Sequence, residues 1–288
     1  MKKHVWALLV LLVALMGAYF LFTLGRPAPV TAKYEIYEGV TYRRIVRYLP
    51  HAMIAHVIII DRREANPRFF VTPPDEIEGG ALAARTTSQF LEEFGVQIAI
   101  NGDGFFPWRS NSPADYYPHV GDPVTPNGFA ASGGIVYADG LQDPRAEPIL
   151  YVSRRNELSF NRPPNKIFHA IAGDRMLILG GEIVADLDDE AIHPRTALGV
   201  NRNGRYIYLV VVDGRQPFYS AGATFQELAE LLKDVGAHYA MALDGGGSST
   251  LVIQEENGSA KILNSPIDQY LPGKERVVAN HFGVYVNE

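Results

Sequence analysis

The longest apolar segment of the chain lies at its N-terminus, where Val5 to Leu24 contains no charged residue. As a helix rising about 1.5 Å per residue, a run of this length spans about 30 Å, which matches the hydrocarbon core of a bilayer. Lys2 and Lys3 precede the run and predict a cytoplasmic N-terminus. The length favours an uncleaved membrane anchor, and a signal peptide cleaved near Val30-Thr31-Ala32 is the alternative. Both interpretations place the remainder of the chain outside the cytoplasm.

Two later segments have the apolar spacing of amphipathic helices, with matching start and stop signals. Thr86 to Phe94 opens with a Thr–Gln capping box, Thr224 to Val235 opens with a Thr–Glu capping box, and a glycine follows each. Each helix precedes an apolar strand that ends in a polar, glycine-rich turn. The strands are Val96–Ile100 and Tyr239–Leu243, and the turns are 101–104 and 244–247. The repetition predicts that the two strand ends face one site, and chance similarity between two ordinary helix–strand units is the alternative.

The rest of the chain alternates short apolar runs with turn residues. Ile54–Asp61 and Phe69–Thr72 read as strands, and Val277–Val286 reads as the last one. Three hairpin turns are predicted at Gly180-Gly181, Asn203-Gly204 and Asn257-Gly258, because such pairs favour positive φ. Many hairpins with few capped helices predict an α+β fold with mixed or antiparallel sheets. We divide the chain into an N-terminal helix (1–24), a linker and lead-in (25–49) and a single globular domain (50–288).

Composition narrows the classes of function. The chain has 288 residues, of which 47% are hydrophobic, a net charge of −6 and no cysteine. It therefore has no disulfide and no thiolate metal site. The acidic balance argues against nucleic-acid binding, which needs a basic face. The acidic cluster at 186–190 lacks the spacing of a calcium loop, and the histidines, including His169, His193 and His281, lack the spacing of a zinc helix. We predict no obligatory metal and no cofactor.

One long segment, Phe105 to Gly128, is irregular in pattern and rich in aromatic residues. Long segments without regular structure are often functional. The aromatic residues are Phe105, Phe106, Trp108, Tyr116 and Tyr117. Sugars pack their C–H faces on such rings, so a glycan-binding rim is one interpretation, and a cover for the edge of the core is the other.

The most concentrated chemistry follows the strand Tyr239–Leu243. Asp244 provides a carboxylate, Gly245, Gly246 and Gly247 let the backbone approach a ligand closely, and hydroxyl residues follow at 248–250. Successive N–H groups in such a turn can form a concavity that binds anions. A phosphate held beside a carboxylate suggests hydrolysis of a phosphorylated substrate. A tight turn before the next strand, 251–253, is the ordinary alternative.

Four further pieces carry polar groups next to apolar runs. They are Asn101-Gly102-Asp103-Gly104-Phe105-Phe106, Arg195-Thr196, the Asp213-Gly214-Arg215 end of an apolar run, and Arg276 before the last strand. Arginine forks suit bidentate recognition of phosphate. Each piece taken alone has an ordinary explanation, such as a common turn, a surface ion pair or a solvated arginine.

Taken together, these motifs resemble those of the phosphodiester glycosidase family. The resemblance rests on NGDGFF (101–106), RTALGV (195–200), VVDGR (211–215), TFQELAELL (224–232), LDGGGSST (243–250) and RVVANHFGVYV (276–286). It covers roughly residues 50–288, in the order the family has them. Families of this kind usually show Asn-Gly-Gly-Phe-Phe, so the extra residue here shifts the position of Asp103 relative to the family pattern.

The resemblance implies hydrolysis of a sugar-1-phosphodiester at the anomeric carbon, giving free sugar and a phosphate monoester. Among the candidate catalytic carboxylates, Asp244 comes first, Asp213 second and Asp103 third. Binding of phosphate or substrate is assigned to a larger set: Asn101, Arg195, Arg215, Gly245, Gly246, Gly247, Ser248 and Ser249. The expected partners are a phosphorylated glycan or glycosyl phosphodiester in envelope or extracellular polysaccharide, and a membrane contacted through the N-terminal helix. A non-catalytic phosphoglycan-binding module and a phosphoesterase that cleaves P–O are the rival functions.

Overall fold

The computed structural model describes residues 2–112, 115–140 and 148–286. It has three α-helices, α1 (Lys2–Gly25), α2 (Thr87–Phe94) and α3 (Phe225–Val235), within these ranges, and 3₁₀ turns at Gly246–Ser248 and Asp268–Tyr270. The first strands are β1 (Ala32–Tyr37), β2 (Val40–Arg47), β3 (Met53–Asp61), β4 (Arg68–Val71), β5 (Leu82–Ala83), β6 (Ile98–Asn101), β7 (Phe105–Phe106), β8 (Arg109–Ser112), β9 (Asp115–Tyr117), β10 (Pro123–Pro126), β11 (Phe129–Ser132) and β12 (Ile135–Asp139). The remaining strands are β13 (Ile149–Val152), β14 (Leu158–Phe160), β15 (His169–Ala172), β16 (Arg175–Leu179), β17 (Glu182–Ile183), β18 (Arg195–Val200), β19 (Tyr206–Asp213), β20 (Tyr239–Ala242), β21 (Leu251–Gln254), β22 (Ala260–Ile262) and β23 (His281–Tyr285).

Two antiparallel sheets dominate the described part of the chain. The larger has eight strands in the order β1-β2-β3-β19-β18-β20-β16-β17, and a five-stranded sheet has the order β22-β21-β6-β23-β4. A second five-stranded sheet, β12-β11-β15-β13-β14, adjoins them, and β5-β10-β7 and β8-β9 form small sheets. The α+β prediction with antiparallel sheets is therefore confirmed.

The core lies in layers because the strands alternate their buried faces. One face of the eight-stranded sheet packs on β6, β21 and β23, with Ile58, Leu198 and Leu209 against Ile100 and Phe282. Its other face packs on α3 through a cluster that includes Val210, Val212, Leu228 and Leu231. Helix α2 covers the outer face of the five-stranded sheet through Phe90 and Leu91. Odd and even residues of β18 therefore point into different layers.

The local signals place the elements where they were predicted. Thr86 and Thr224 each form the predicted capping box, and Gly95 and Gly236 end the two helices in the left-handed conformation. The three predicted hairpins are confirmed, since β16 pairs with β17, β18 with β19 and β21 with β22. The last strand is shorter than predicted, because regular pairing starts only at His281.

Two regions differ from the sequence prediction. Residues 25–49 are more than a linker, since β2 pairs with β3 over eight positions and Val40 and Tyr42 are buried. Charged residues within β2, such as Arg43 and Arg44, hide its strand pattern. The segment 105–128 is not irregular, since it contains β7 to β10. Strands β8 and β9 pair with each other and are too short to show a long apolar run in the sequence.

The N-terminal helix α1 is the one described helix that is long and apolar enough to cross a membrane. Its most apolar part, His4–Phe22, has a mean hydropathy of 2.5, and no residue of it is buried inside the protein. A signal sequence at the N-terminus would have the same properties, so the helix fits the predicted anchor and its alternative equally.

Candidate active site at two strand ends

The two glycine-rich turns meet where β6 and β20 end. The Asn101 side-chain amide donates to the Asp244 carbonyl at 2.7 Å, and the Asp244 N–H donates to the Gly102 carbonyl at 3.0 Å. The Asn101 oxygen accepts from the Thr196 hydroxyl at 2.8 Å and from the Thr250 N–H at 3.2 Å. The prediction that both strand ends lie at one site is confirmed. Asn101 is fully buried with its amide groups engaged, so it holds the Asp244 turn in place and has no free group for a substrate.

Two arginine side chains lie against consecutive glycines of the turn Gly245–Ser248, hereafter the glycine turn. A Cβ on Gly246 would lie 3.1–3.4 Å from the Arg215 guanidinium, and one on Gly247 would overlap the Arg276 guanidinium. Gly246 also has φ of +65°, which disfavours other residues. The absence of side chains at 246 and 247 is therefore what lets two positive charges close over the backbone.

The two guanidinium groups, more than the backbone N–H groups, give the glycine turn its capacity to bind an anion. The N–H of Gly246 donates to Pro194 at 2.9 Å, and those of Ser248 and Ser249 donate back into the turn at 3.3 Å. Most of the N–H groups predicted to cradle a phosphate are thus already engaged. Arginine forks keep their charge and can bind phosphate in a bidentate manner.

Arg276 is held in position from two sides. Its Nε donates to the Asp268 carboxylate at 2.9 Å, Nη1 lies 3.5 Å from the Ser248 hydroxyl, and the guanidinium lies 5.5 Å from the centre of the Trp108 ring. Asp268 also pairs with Lys274 at 3.4 Å. The Arg276 fork is therefore oriented before any ligand arrives, which lowers the entropy lost on binding.

Asp244 is half-buried at the start of the glycine turn. Burial raises the pKa of its carboxyl above the ordinary value, and the Ser248 hydroxyl and the Arg276 charge oppose this rise. The Asp244 carboxylate therefore lies within electrostatic range of the same cation that would bind an anionic ligand. A carboxyl with a raised pKa near such a cation is a recognised candidate for acid–base or nucleophilic chemistry.

His193 lies beside the second cation. Its Nδ1 is 3.5 Å from Arg215 Nη2, and burial together with the Arg215 and Arg195 charges lowers the pKa of the imidazole. The ring is therefore neutral at physiological pH and can accept a hydrogen bond from Arg215. Arg215 itself has φ of +55°, a conformation that costs energy for a residue with a side chain.

Arg195, a predicted phosphate ligand, points into the layer on the other side of β18. Its Nε and Nη2 donate to the carbonyls of Ala223 and Ala191, and its guanidinium lies 3.6 Å from the Phe225 ring centre. Burial lowers the pKa of Arg195 to about 10. Its aliphatic stem lies under Gly245, so its contacts support the turn and leave it little capacity for a ligand.

Asp213, the second candidate carboxylate, is buried at the end of β19 with both oxygens engaged. One oxygen accepts from the Ser265 N–H at 2.7 Å and from the Asn264 amide at 3.2 Å, and the other lies 3.0 Å from His56 Nε2. His56 Nδ1 in turn lies 2.8 Å from the Tyr42 hydroxyl. Asp213 thus ties the segment that leads to the Asp268–Tyr270 turn to the main sheet.

Asp103, the third candidate, closes the base of the aromatic segment. Its two oxygens accept from the N–H groups of Gly104 and Gly128, both at 2.7 Å, and its own N–H donates to Asn280 at 2.9 Å. The side chain is buried. Asp103 therefore connects the two ends of the excursion that carries Trp108.

The aromatic segment borders a cavity of about 460 Å³ next to Arg276, hereafter the aromatic cavity. Its lining includes Trp108, Tyr116, Tyr117, His119, Lys274 and Arg276. The volume lies within the range of small-molecule sites. Trp108 and Tyr116 are 5.9 Å apart, and Trp108 is half exposed, so ring faces are available to a ligand. Both alternatives therefore have support, since Phe105 is buried in a core cluster against which Tyr117 packs, whereas Trp108 leaves a ring face exposed.

Among the remaining predicted ligands, Ser249 has a buried hydroxyl without a hydrogen-bond partner among the described protein atoms. No group of three or more His, Asp or Glu side chains within residues 2–112, 115–140 and 148–286 is arranged to hold a metal ion. Sequence reasoning singled out Arg276 but assigned it no role at the site, and it gave no role there to His193 or Asp268. Their signal was weak, because they lie in irregular segments and meet the glycine turn only through tertiary packing.

Most of the chain matches one family of known proteins. A family model described as phosphodiester glycosidase matches residues 94–285. A search of curated proteins gives no significant match.

Three of the solved structures that match this chain illustrate its fold. A hypothetical protein from Synechocystis has a TM-score of 0.60 and 16% identity, with 90% of this chain and 64% of that chain covered. The catalytic domain of zebrafish N-acetylglucosamine-1-phosphodiester alpha-N-acetylglucosaminidase, auto-inhibited by its pro-peptide, has a TM-score of 0.59 and 21% identity, with 90% and 84% covered. A putative exported protein from Burkholderia pseudomallei has a TM-score of 0.53 and 16% identity, with 81% and 74% covered. At these identities the likeness concerns the fold.

Proposed function

The chain belongs to the phosphodiester glycosidase family, and from that premise we propose that it hydrolyses a glycosyl phosphodiester at the anomeric carbon. The products are a free sugar and a phosphate monoester of the aglycone. The observation that carries this proposal is the pair of guanidinium groups, Arg215 and Arg276, closed over consecutive glycines beside Asp244. Such an arrangement suits a phosphate flanked by a group that can act on the neighbouring carbon.

Arg215 and Arg276 would stabilise the charge that develops on the departing phosphate. Preorganised positive charge of this kind is commonly the largest contribution to catalysis. A phosphate monoester leaves readily, so the leaving oxygen needs little help from an acid. One carboxylate at the glycine turn against which the two cations lie would therefore be enough for the reaction.

Asp244 is the group that we assign to the anomeric carbon. Acting as a base, it takes a proton from water while the water oxygen bonds to the anomeric carbon and the bond from that carbon to the phosphate oxygen breaks. The electron pair of the broken bond stays on the phosphate, between the two arginines. Acting instead as a nucleophile, Asp244 would form a glycosyl ester that water then hydrolyses. Both routes need the carboxyl deprotonated.

The aromatic cavity next to Arg276 is the proposed position of the sugar. Trp108 offers a ring face on which the C–H groups of a sugar can pack, and the Arg276 guanidinium lies 5.5 Å from that ring. A sugar in this cavity would therefore have its phosphate within reach of Arg276. The zebrafish relative is named for N-acetylglucosamine-1-phosphodiester, which supplies the first probe.

We further propose that the domain is held outside the cytoplasm by α1 and acts on envelope or extracellular polysaccharide. The support is the apolar length of His4–Phe22 and the lysines that precede it. Fractionation of cells that express the full chain tests this proposal. Extraction by detergent but not by alkaline carbonate is expected, and release into the medium would favour a cleaved signal peptide.

The function is tested with an α-N-acetylglucosamine-1-phosphodiester in ¹⁸O-labelled water. Label in the free sugar, with unlabelled phosphate monoester, is the expected result, because water attacks the anomeric carbon. Label in the phosphate would replace the proposal with P–O cleavage. Saturable binding without turnover, unchanged in Asp244→Asn, would replace it with a phosphoglycan-binding module.

A further inference from the structure

A second cavity, of about 850 Å³, lies beside Arg215, and we call it the apolar cavity. Its lining includes Tyr19, Ile192, Arg215, Pro217, Phe218 and Tyr270. Arg215 is the charged residue of this lining, and its guanidinium lies against Gly246 of the glycine turn. The cavity therefore adjoins the proposed phosphate position with one cation and offers apolar surface elsewhere.

Two aromatic side chains of this cavity are exposed to solvent, and both residues have an unfavourable backbone conformation. Phe218 is 65% exposed with φ of +63°, and Tyr270 is 67% exposed with φ of +60°. Positive φ is uncommon for bulky residues, because it brings the side chain into steric conflict with the backbone. Large exposed aromatic residues in such a conformation point to a ligand or surface that covers them.

The apolar cavity and the aromatic cavity share a boundary. Asp268 and Gln269 line the aromatic cavity, and Tyr270, the next residue, lines the apolar one. Arg276 and Arg215 lie against consecutive glycines, and each lines one of the two cavities. A diester bound with its phosphate at the glycine turn can therefore place its sugar in one cavity and its aglycone in the other.

The apolar cavity also lies next to the membrane helix. The ring of Phe20 meets that of Phe218 edge to face at 5.1 Å, and Tyr19 lines the cavity. Just after the helix, Arg26 donates to Ser265 at 2.9 Å and lies 3.8 Å from the Tyr219 ring centre. An aglycone that reaches this cavity from a bilayer would not need to cross water.

We propose that the apolar cavity binds the hydrocarbon chain of a membrane lipid whose phosphate carries the sugar, so that the substrate is a glycosyl phosphodiester of a long-chain alcohol. This inference rests on the proposed function and narrows its substrate class. The reaction is the same hydrolysis. Water adds its oxygen to the anomeric carbon and gives a proton to Asp244, and the bond from that carbon to the phosphate oxygen breaks. The hydrocarbon chain remains on the phosphate, which leaves as an alkyl phosphate monoester.

The test measures binding of alkyl phosphates to the full chain in phosphatidylcholine nanodiscs. Methyl, butyl and hexyl phosphate are titrated calorimetrically, with empty nanodiscs as the blank. Burial of each methylene can tighten binding by up to about fourfold, so hexyl phosphate is expected to bind at least about tenfold more tightly than methyl phosphate. Turnover of the methyl and hexyl diesters of N-acetylglucosamine-1-phosphate is measured in parallel.

The test variant is Phe218→Asn, because asparagine tolerates positive φ and the variant should fold at least as well as the wild type. It is expected to reduce the hexyl-to-methyl affinity ratio several-fold. Ile135→Asn is the matched control, since Ile135 is 60% exposed on β12 and lines neither cavity. It should leave the ratio unchanged.

The outcomes separate the two proposals. An affinity that does not change with alkyl chain length, or a hexyl-to-methyl ratio that is unaltered in Phe218→Asn, would show that the apolar cavity does not bind the lipid chain, even if the diesters are hydrolysed. Binding that tightens with chain length, without turnover of any diester, would keep the cavity and remove the proposed function. An equal loss of the affinity ratio in Ile135→Asn would show that the effect of Phe218→Asn is not local to the apolar cavity, and would also overturn the proposal.

Discussion

At the scale of single residues, the Asp244 carboxylate is proposed to be needed for turnover although its burial lowers the stability of the fold. We expect Asp244→Asn to lower kcat by at least about 100-fold, because the amide can neither accept a proton nor form a glycosyl ester. The measurement is turnover of the soluble diester by protein whose fold is verified by circular dichroism. Near-wild-type turnover would rule out the role assigned to Asp244. Asp189→Asn, in the exposed acidic cluster, is the matched control.

The raised pKa of Asp244 also predicts a pH dependence. Because the folded protein binds the proton more tightly than the unfolded chain, the free energy of unfolding falls as pH rises from the ordinary carboxyl value through the raised one. Asp244→Asn should therefore raise the melting temperature at pH 7 and lose this advantage at pH 3. Activity should rise over the same pH window, since it needs the carboxylate. A variant no more stable at pH 7 than at pH 3, relative to wild type, would contradict this.

Gly247 tests the role of Arg276 without altering a charge. An added methyl group would displace the Arg276 guanidinium, whereas the backbone at 247 does not have positive φ. We expect Gly247→Ala and Arg276→Ala each to lower kcat/KM by about 100-fold with little loss of stability. The double variant should be no worse than Arg276→Ala, because both changes remove one interaction. Additive losses in the double variant would show that Gly247 acts by another route.

At the scale of elements, Asp213 joins β19 to the segment that precedes the Asp268–Tyr270 turn. Asp213→Ala should lower the free energy of unfolding by about 3–5 kcal/mol, because it leaves His56 and the Ser265 N–H buried without their partner. Urea denaturation measures the change. Asp234→Ala, which removes an exposed pair with Arg47, is the control and should cost no more than about 1 kcal/mol.

A milder change at the same position separates support from chemistry. If Asp213 only positions the turn, Asp213→Asn that remains folded at low temperature should keep measurable turnover, with KM affected more than kcat. Complete loss of kcat in folded Asp213→Asn would instead place this carboxylate in the reaction, as the second sequence candidate.

Elements with local signals could be predicted from the sequence, and the contacts between them could not. The capping boxes at Thr86 and Thr224 fix helix starts within a few residues, and the glycine pairs fix hairpins. The side on which a polar residue acts depends on strand alternation and packing. Thr196 and Arg195 are neighbours, yet Thr196 contacts Asn101 and Arg195 stacks on Phe225 behind the sheet. Motif spacing alone does not reveal that difference.

At the scale of the whole molecule, the pairing of β1 and β2 with the main sheet determines the residue at which the folded domain begins. A protein of residues 32–288 retains β1 and β2, loses the exposed apolar surface of α1, and should be soluble with a cooperative thermal transition. A protein of residues 50–288 loses β2, which pairs with β3 over eight positions. We expect it to aggregate or to melt without cooperativity.

The reason lies in what β2 covers. Ile58 and Ile60 on β3 are fully buried, and the Tyr42 hydroxyl is the partner of His56, which in turn contacts Asp213. Removal of β2 exposes apolar surface, opens an unpaired strand edge and takes away the partner of His56 Nδ1, all of which favour aggregation. Size-exclusion chromatography and thermal melts of the two proteins measure the effect. A cooperative transition of residues 50–288 within a few degrees of that of 32–288 would show that the domain does not need β1 and β2.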